Sequence, residues 1–277
     1  MIKKILVAQD GSVYSKSAFE YGVWLSRRFE ASLAAIHVVD IVSLEGPFLH
    51  DLSGSLGFEP YVNFSSKMKE VLEAKGKEIL SSFEEDCKKA GVECTTGVAY
   101  GIVPNEICSK ANLADLVILG RRGINARFEY GMLGSTTESV LRSSPKPVLV
   151  VPEGFTEPKN PMLAYDGSPN ASRAMHYAAE WSKTLSLPLT VVTVSGAEDG
   201  DTILKNAQDY IKPYGVDAKL VRLKNDPPVE IERYYRENGH DLLFMGTSHH
   251  SKLVEMVLGS TTEHVMRTVG GPFFLAR

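Results

Sequence analysis

Residues 133–142 read LGSTTESVLR, and residues 258–267 read LGSTTEHVMR, an offset of 125. Working outward, LADLVILG ending at Gly120 matches HDLLFMG ending at Gly246, an offset of 126. Further out, ILVAQDGS at 5–12 returns as MLAYDGS at 162–168, placing Asp10 opposite Asp166 at an offset of 156. Ala18 and Ala174, Tyr21 and Tyr177, and Val38 and Val194 keep that last offset. Two copies of one unit therefore fill the chain, and self-similarity of this kind is read before any single element. The drop from 156 to 126 puts about 30 extra residues into the first copy, between its matching blocks. The stretch EGFTEPKNP (153–161), with two prolines and a glycine, is the natural linker. The expected division is 1–153, a linker at 154–161, and 162–277, with an inserted loop at about 43–66.

Each copy alternates strand and helix. IKKILVA is a short strand closed by the Asp-Gly-Ser turn, with Ser12 and Ser168 where helix N-caps belong. Ala18, Tyr21, Gly22, Leu25 and Phe29 follow at helical spacing, as do Ala174, Tyr177, Ala178, Trp181 and Leu185. LAAIHVV and LTVVTV are nearly continuous apolar runs, as expected of parallel strands covered on both faces. Met68, Val71, Leu72, Lys75, Ile79, Phe83 and Cys87 mark a long second helix, with Lys75 its one polar member. GVECTTGVA is a third strand, and Pro104 opens a third helix. ADLVILG, GSTTESVLR and KPVLVV complete the unit as strand, helix and strand. The fold class is α/β: two tandem, doubly wound, five-stranded parallel-sheet domains.

Composition narrows the function. At 277 residues, 43% apolar and 23% charged, the chain has the make-up of a globular protein of about two domains. Thirty basic against 34 acidic residues give a net charge of −4, which argues against a nucleic-acid partner. No apolar stretch approaches the roughly 20 residues that span a bilayer, so no membrane partner is expected. The three cysteines contain no C-x-x-C pair, and reduced thiols in a cytoplasmic protein are the expectation.

In sheets of this kind, ligands bind outside the carboxyl ends of the strands, where strand order reverses. Three repeated features fall there. The aspartate after strand 1 can accept hydrogen bonds from a ribose hydroxyl or a base amine, or the Asp-Gly turn can simply cap the next helix. After strand 4 come GRRGINARFEYGMLGST and GTSHHSKLVEMVLGST. Gly120 and Gly246 would let backbone approach a ligand, and Gly134-Ser135-Thr136 and Gly259-Ser260-Thr261 open helices whose amides and dipole suit an anion. Val38 and Val194 offer apolar surface to a flat base.

The common enzyme signatures are missing: no G-x-S-x-G, H-E-x-x-H, G-x-x-x-x-G-K-[S/T] or G-x-G-x-x-G after a strand. His249, His250 and His264 lack companion ligands at metal-site spacing, and His37 within its apolar strand reads as a hydrogen-bonded core histidine. No residue stands out as a catalytic one.

Both halves resemble the universal stress protein family in its tandem form, nearly from end to end. The residues that carry the resemblance are DGS after strand 1 and a loop of the type G-x2-G-x9-G-[S/T] after strand 4. The resemblance implies an adenine-nucleotide alpha-hydrolase-like fold and a stress-response module binding ATP or AMP, with magnesium accompanying a triphosphate. By position it implicates Asp10, Val38, Gly120, Gly123, Gly134, Ser135 and Thr136 in the first half. In the second it implicates Asp166, Val194, Gly246, His249, Gly259, Ser260 and Thr261. The first loop is one residue longer than the pattern, while in the second His249 replaces a glycine. Retention of both glycines, with Arg121 and Arg122 alongside, favours the first half as the loaded one. The family's dimers imply pairing through the fifth strands, KPVLVV against GPFFLA, in an intramolecular pseudo-dimer, with a homodimer as a further candidate assembly. Two alternatives remain: a nucleotide-free interaction module with degenerate loops, or a slow ATPase. The segment 43–64, rich in Phe, Leu, Gly and Pro, would serve as a lid or a packing arm.

Overall fold

The computed structural model describes residues 2–40, 61–124, 133–196, 199–247 and 258–277. The first half runs β1 (Lys4–Ala8), α1 (Val13–Phe29), β2 (Ser32–Asp40), α2 (Tyr61–Ala90), β3 (Cys94–Gly101), α3 (Val103–Ala111), β4 (Leu116–Gly120), α4 (Ser135–Ser143) and β5 (Val148–Val151). The second runs β6 (Pro161–Ala164), α5 (Pro169–Leu185), β7 (Leu189–Val194), α6 (Asp199–Ile211), β8 (Ala218–Leu223), α7 (Pro227–Glu237), β9 (Leu242–Gly246), α8 (Ser260–Thr268) and β10 (Phe273–Ala276).

The strands lie in the order β3-β2-β1-β4-β5-β10-β9-β6-β7-β8. Each half is thus the same 3-2-1-4-5 parallel arrangement, with the order reversing between β1 and β4 and between β6 and β9. The two sheets are continuous. β5 and β10 pair antiparallel, with Val150 opposite Phe273 and Val148 opposite Leu275. The expected pairing of the fifth strands is therefore present within the chain, and it turns the two five-stranded sheets into one of ten strands.

Side-chain alternation explains the two layers. Ile5 and Val7 face one core with α1, α2, α5 and α6, while Leu6 faces the other with α3, α4, α7 and α8. Trp181, fully buried, meets Phe29 and Trp24 of the first half at ring-centroid distances of 5.7 and 6.4 Å, so the first core runs across both halves. The linker is pinned rather than loose. Trp24 Nε1 and Arg28 donate to Glu157 Oε1 at 3.0 and 2.9 Å, and Tyr21 donates to the Thr156 carbonyl at 3.1 Å.

The two Asp-Gly-Ser turns fold alike. Gly11 and Gly167 take φ of +81° and +79°, a region open to glycine at no steric cost. Ser12 and Ser168 then cap their helices, accepting from the amides of Ser15 and Ala171 at 3.1 and 3.2 Å, as the sequence predicts. α2 is longer than its apolar stripe suggests. It begins at Tyr61, so the end of the expected insertion is helical, while residues 41–60 lie outside the described residues.

Candidate functional site

At the carboxyl ends of β1, β2 and β4 the first half encloses a cavity of about 330 Å³. That falls in the roughly 300–1,000 Å³ range of small-molecule sites. All seven residues predicted for this half line it: Asp10, Val38, Gly120, Gly123, Gly134, Ser135 and Thr136. The reversal of strand order brings them together, because β1 and β4 are spatial neighbours connected elsewhere.

Asp10 organises the mouth. Its Oδ1 accepts from the Ser12 amide and its Oδ2 from the Ile124 amide, both at 2.9 Å. One carboxylate thus ties the turn after β1 to the loop after β4. Gly123 lies against it, and a Cβ there would come within 2.9 Å of Asp10 Oδ2. Each oxygen keeps acceptor capacity for a ligand hydroxyl or amine. Across the cavity, α4 opens at Gly134 with no side-chain cap, so its first amides face outward with the positive end of the helix dipole. The Gly134 amide itself donates to the Arg121 carbonyl at 3.0 Å, and Thr137 donates to the Gly120 carbonyl at 2.9 Å. These bonds fasten the helix start to the strand end.

Gly120, which lines the cavity, also has a packing part. A Cβ there would fall 2.5 Å from the Tyr14 Cβ, and one at Gly246 would fall 2.3 Å from the Ala171 amide nitrogen. Both glycines let the fourth strand of their half pack against the start of its first helix.

Arg121 departs from expectation. Its guanidinium donates to the carbonyls of Val269 and, at 3.0 Å, Gly271, and lies 5.7 Å from the Phe273 ring centroid. Burial pulls its pKa below the usual arginine value. It grips the second half rather than a ligand, whereas Arg122 lines the cavity.

Several lining residues carry no repeated motif. Gln9 is buried and donates through Nε2 to the Ser15 carbonyl at 3.0 Å. His37 donates through Nδ1 to the Gln9 carbonyl at 2.8 Å, a hydrogen-bonded strand residue that nevertheless lines the cavity. Asp40, Leu72 and Lys75 complete the wall formed by β2 and α2. Lys75 had a sequence signal, as the polar residue on an apolar helical stripe.

In the second half, Asp166 Oδ1 accepts from the Ser168 amide at 2.9 Å, repeating the first turn. Val194 ends β7, Gly259 precedes α8 without a side-chain cap, and Ser260 and Thr261 form its first turn. Gly246 ends β9, and His249 and His250 lie outside the described residues. The equivalent positions differ in chemistry. Tyr165 stands for Gln9, donating its amide to the Val192 carbonyl as Gln9 does to Ile36, and Thr193 stands for His37. Asn170, opposite Tyr14, donates to the carbonyl and hydroxyl of Thr247 at 2.8 and 2.9 Å, which is opposite Arg121.

Among the described residues, no group of three or more His, Cys, Asp or Glu side chains could hold a metal ion. His264 sits on α8 with Nε2 4.0 Å from Glu232 Oε2. No helix of the described residues is long and apolar enough to cross a membrane.

Residues 1–152 and 195–277 match the model of the Universal stress protein family. A universal stress protein of Synechocystis is 29% identical over 287 residues, spanning both chains completely. A Staphylococcus aureus protein named for the same family is 32% identical over 154 residues, 54% of this chain and 83% of its own. The crystal structure of a universal stress protein from Archaeoglobus fulgidus superposes with a TM-score of 0.77 at 23% identity, over 99% of this chain and 98% of that one. That last likeness is one of fold.

Proposed function

The chain belongs to the universal stress protein family, and on that premise we propose that its first half binds an adenine nucleotide, ATP or AMP, as a sensor or regulatory module. The observation that carries this reading is the convergence of three separate motifs on one cavity of about 330 Å³. Each wall suits one part of a nucleotide. Val38, Val103 and Ile107 give an apolar surface for the base. Asp10 is placed for a ribose hydroxyl. The uncapped start of α4, with the hydroxyls of Ser135 and Thr136, takes phosphate oxygens, and Arg122 adds a positive charge on the same loop. Ser135 and Thr136 would offer hydroxyl oxygens to a magnesium ion that accompanies a triphosphate, where the ion would neutralise phosphate charge.

Binding, not turnover, is the activity this arrangement favours. Asp10 already accepts two backbone amides, which hold it as an anchor rather than a proton acceptor for water. The half-to-half differences at Gln9 and His37 favour one loaded half. Titration calorimetry of ATP and of AMP, with magnesium, into the full chain tests this. Saturable binding in the native protein, lost in Asp10→Ala and kept in Asp166→Ala, is the expected result. Absence of binding at millimolar nucleotide overturns the reading.

A further inference from the structure

The two halves hold their second helices against the first turn at the same point. Ile79 of α2 packs on Gly11, and Ile203 of α6 packs on Gly167. α6 starts only four residues before Ile203, at Asp199, whereas α2 starts eighteen residues before Ile79, at Tyr61. At about 1.5 Å per residue, α2 therefore projects roughly 20 Å farther past the strand ends. On this alignment Asp199 in the second half occupies the place of Lys75 in the first, so the charge at that position is reversed.

The stretch of α2 around Gly76 is set closely against the site. Gly76 lies so near His37 that a Cβ would fall 2.4 Å from the ring Cδ2, and the ring is itself fixed by its bond to the Gln9 carbonyl. Leu72 and Lys75 consequently line the cavity. Leu80 and Phe83 of α2 belong to one core layer, while Val140 and Leu141 of α4 belong to the other. α2 and α4 thus face the cavity from opposite sides of the sheet. Among the described residues the Lys75 ammonium has neither a hydrogen bond nor an ion pair, although it stands on the wall of a cavity that also contains Asp10 and Asp40. A lysine that interrupts an apolar stripe, is exposed and makes no partner among the described residues leaves its three donors for a ligand.

We infer that Lys75 is a phosphate contact of the first-half site, reaching the anionic part of the nucleotide from the side opposite the α4 start, and that this lysine, at the position where the second half carries Asp199, makes the first half the one that holds polyphosphate. This rests on the nucleotide reading of the first half and adds a residue that neither repeated motif contains.

The test is titration of Mg-ATP, and separately of uncharged adenosine, into the full-length native chain, Lys75→Met and Lys75→Arg. Methionine keeps most of the stem and removes the charge, and an unchanged unfolding midpoint confirms an intact fold. Lys75→Met is expected to weaken ATP about tenfold or more, the loss of one charge-assisted hydrogen bond, and to leave adenosine unaffected. Lys75→Arg recovers most of the ATP affinity. ATP binding by Lys75→Met equal to that of the native chain overturns the inference alone, as does an equal loss for adenosine. Failure of the native chain to bind ATP overturns this inference together with the reading beneath it.

Discussion

Arg121 and Arg122 are adjacent in sequence and do opposite things. Just past a strand, successive side chains point to opposite sides, so Arg122 lines the cavity while Arg121 crosses to the loop between α8 and β10. A pair of arginines in a phosphate-type loop invites one reading for both, and neither residue type nor spacing distinguishes them. The partner of Arg121 lies 148 and 150 residues away, beyond any local pattern. Its backbone stays in the site, where its carbonyl accepts from the Gly134 amide. Arg121→Met leaves the carbonyls of Val269 and Gly271 without their part-buried donor, and a loss of about 1–3 kcal/mol in urea unfolding is expected. Nucleotide affinity changes little by comparison, because the guanidinium faces away from the cavity. Lys75 is the opposite case, since its polarity on an apolar stripe marks it in the sequence while its neighbours do not.

The elements were legible wherever their periodicity was local. The first helices, the apolar second strands and the Pro104 helix start all stand where spacing places them. The start of α2 did not, because the insertion before Met68 breaks the apolar repeat without ending the helix. The terminal glycines of β4 and β9 were legible as close approaches, and the neighbouring helix is one element that approaches them. Ala171 is the third residue of α5, and its amide is 2.3 Å from where a Cβ at Gly246 would lie. Backbone cannot yield as a flexible side chain does. Gly246→Ala therefore should cost about 1–3 kcal/mol through overpacking, measured by chemical denaturation. A change near zero would show that β9 and α5 shift apart freely.

At the scale of the molecule, two copies of one unit form a single ten-stranded sheet and differ at the ligand edge. The repeat made the shared fold readable, and the diverged loops made unequal halves expected. The joint between halves adds its own titrating group. His240 is buried, donates through Nδ1 to the Asn160 carbonyl at 3.0 Å, and has its pKa lowered by desolvation. That bond and nearby Asp241 oppose the shift. The unfolded chain thus binds this proton more readily than the folded one. The stability that neutral His240 contributes is complete above about pH 6.5 and is lost as pH falls from there towards the lowered folded value. Thermal unfolding should show a steeper decline between pH 7 and pH 5 in the native chain than in His240→Gln; parallel declines would remove His240 from the cause.

Inequality of the halves is best tested by the stoichiometry of nucleotide binding. Calorimetric titration of Mg-ATP into the full chain should give one site per chain, abolished when Asp10 is replaced by alanine and retained when Asp166 is. Two equivalent sites per chain, or one site that survives Asp10→Ala and vanishes with Asp166→Ala, would contradict it.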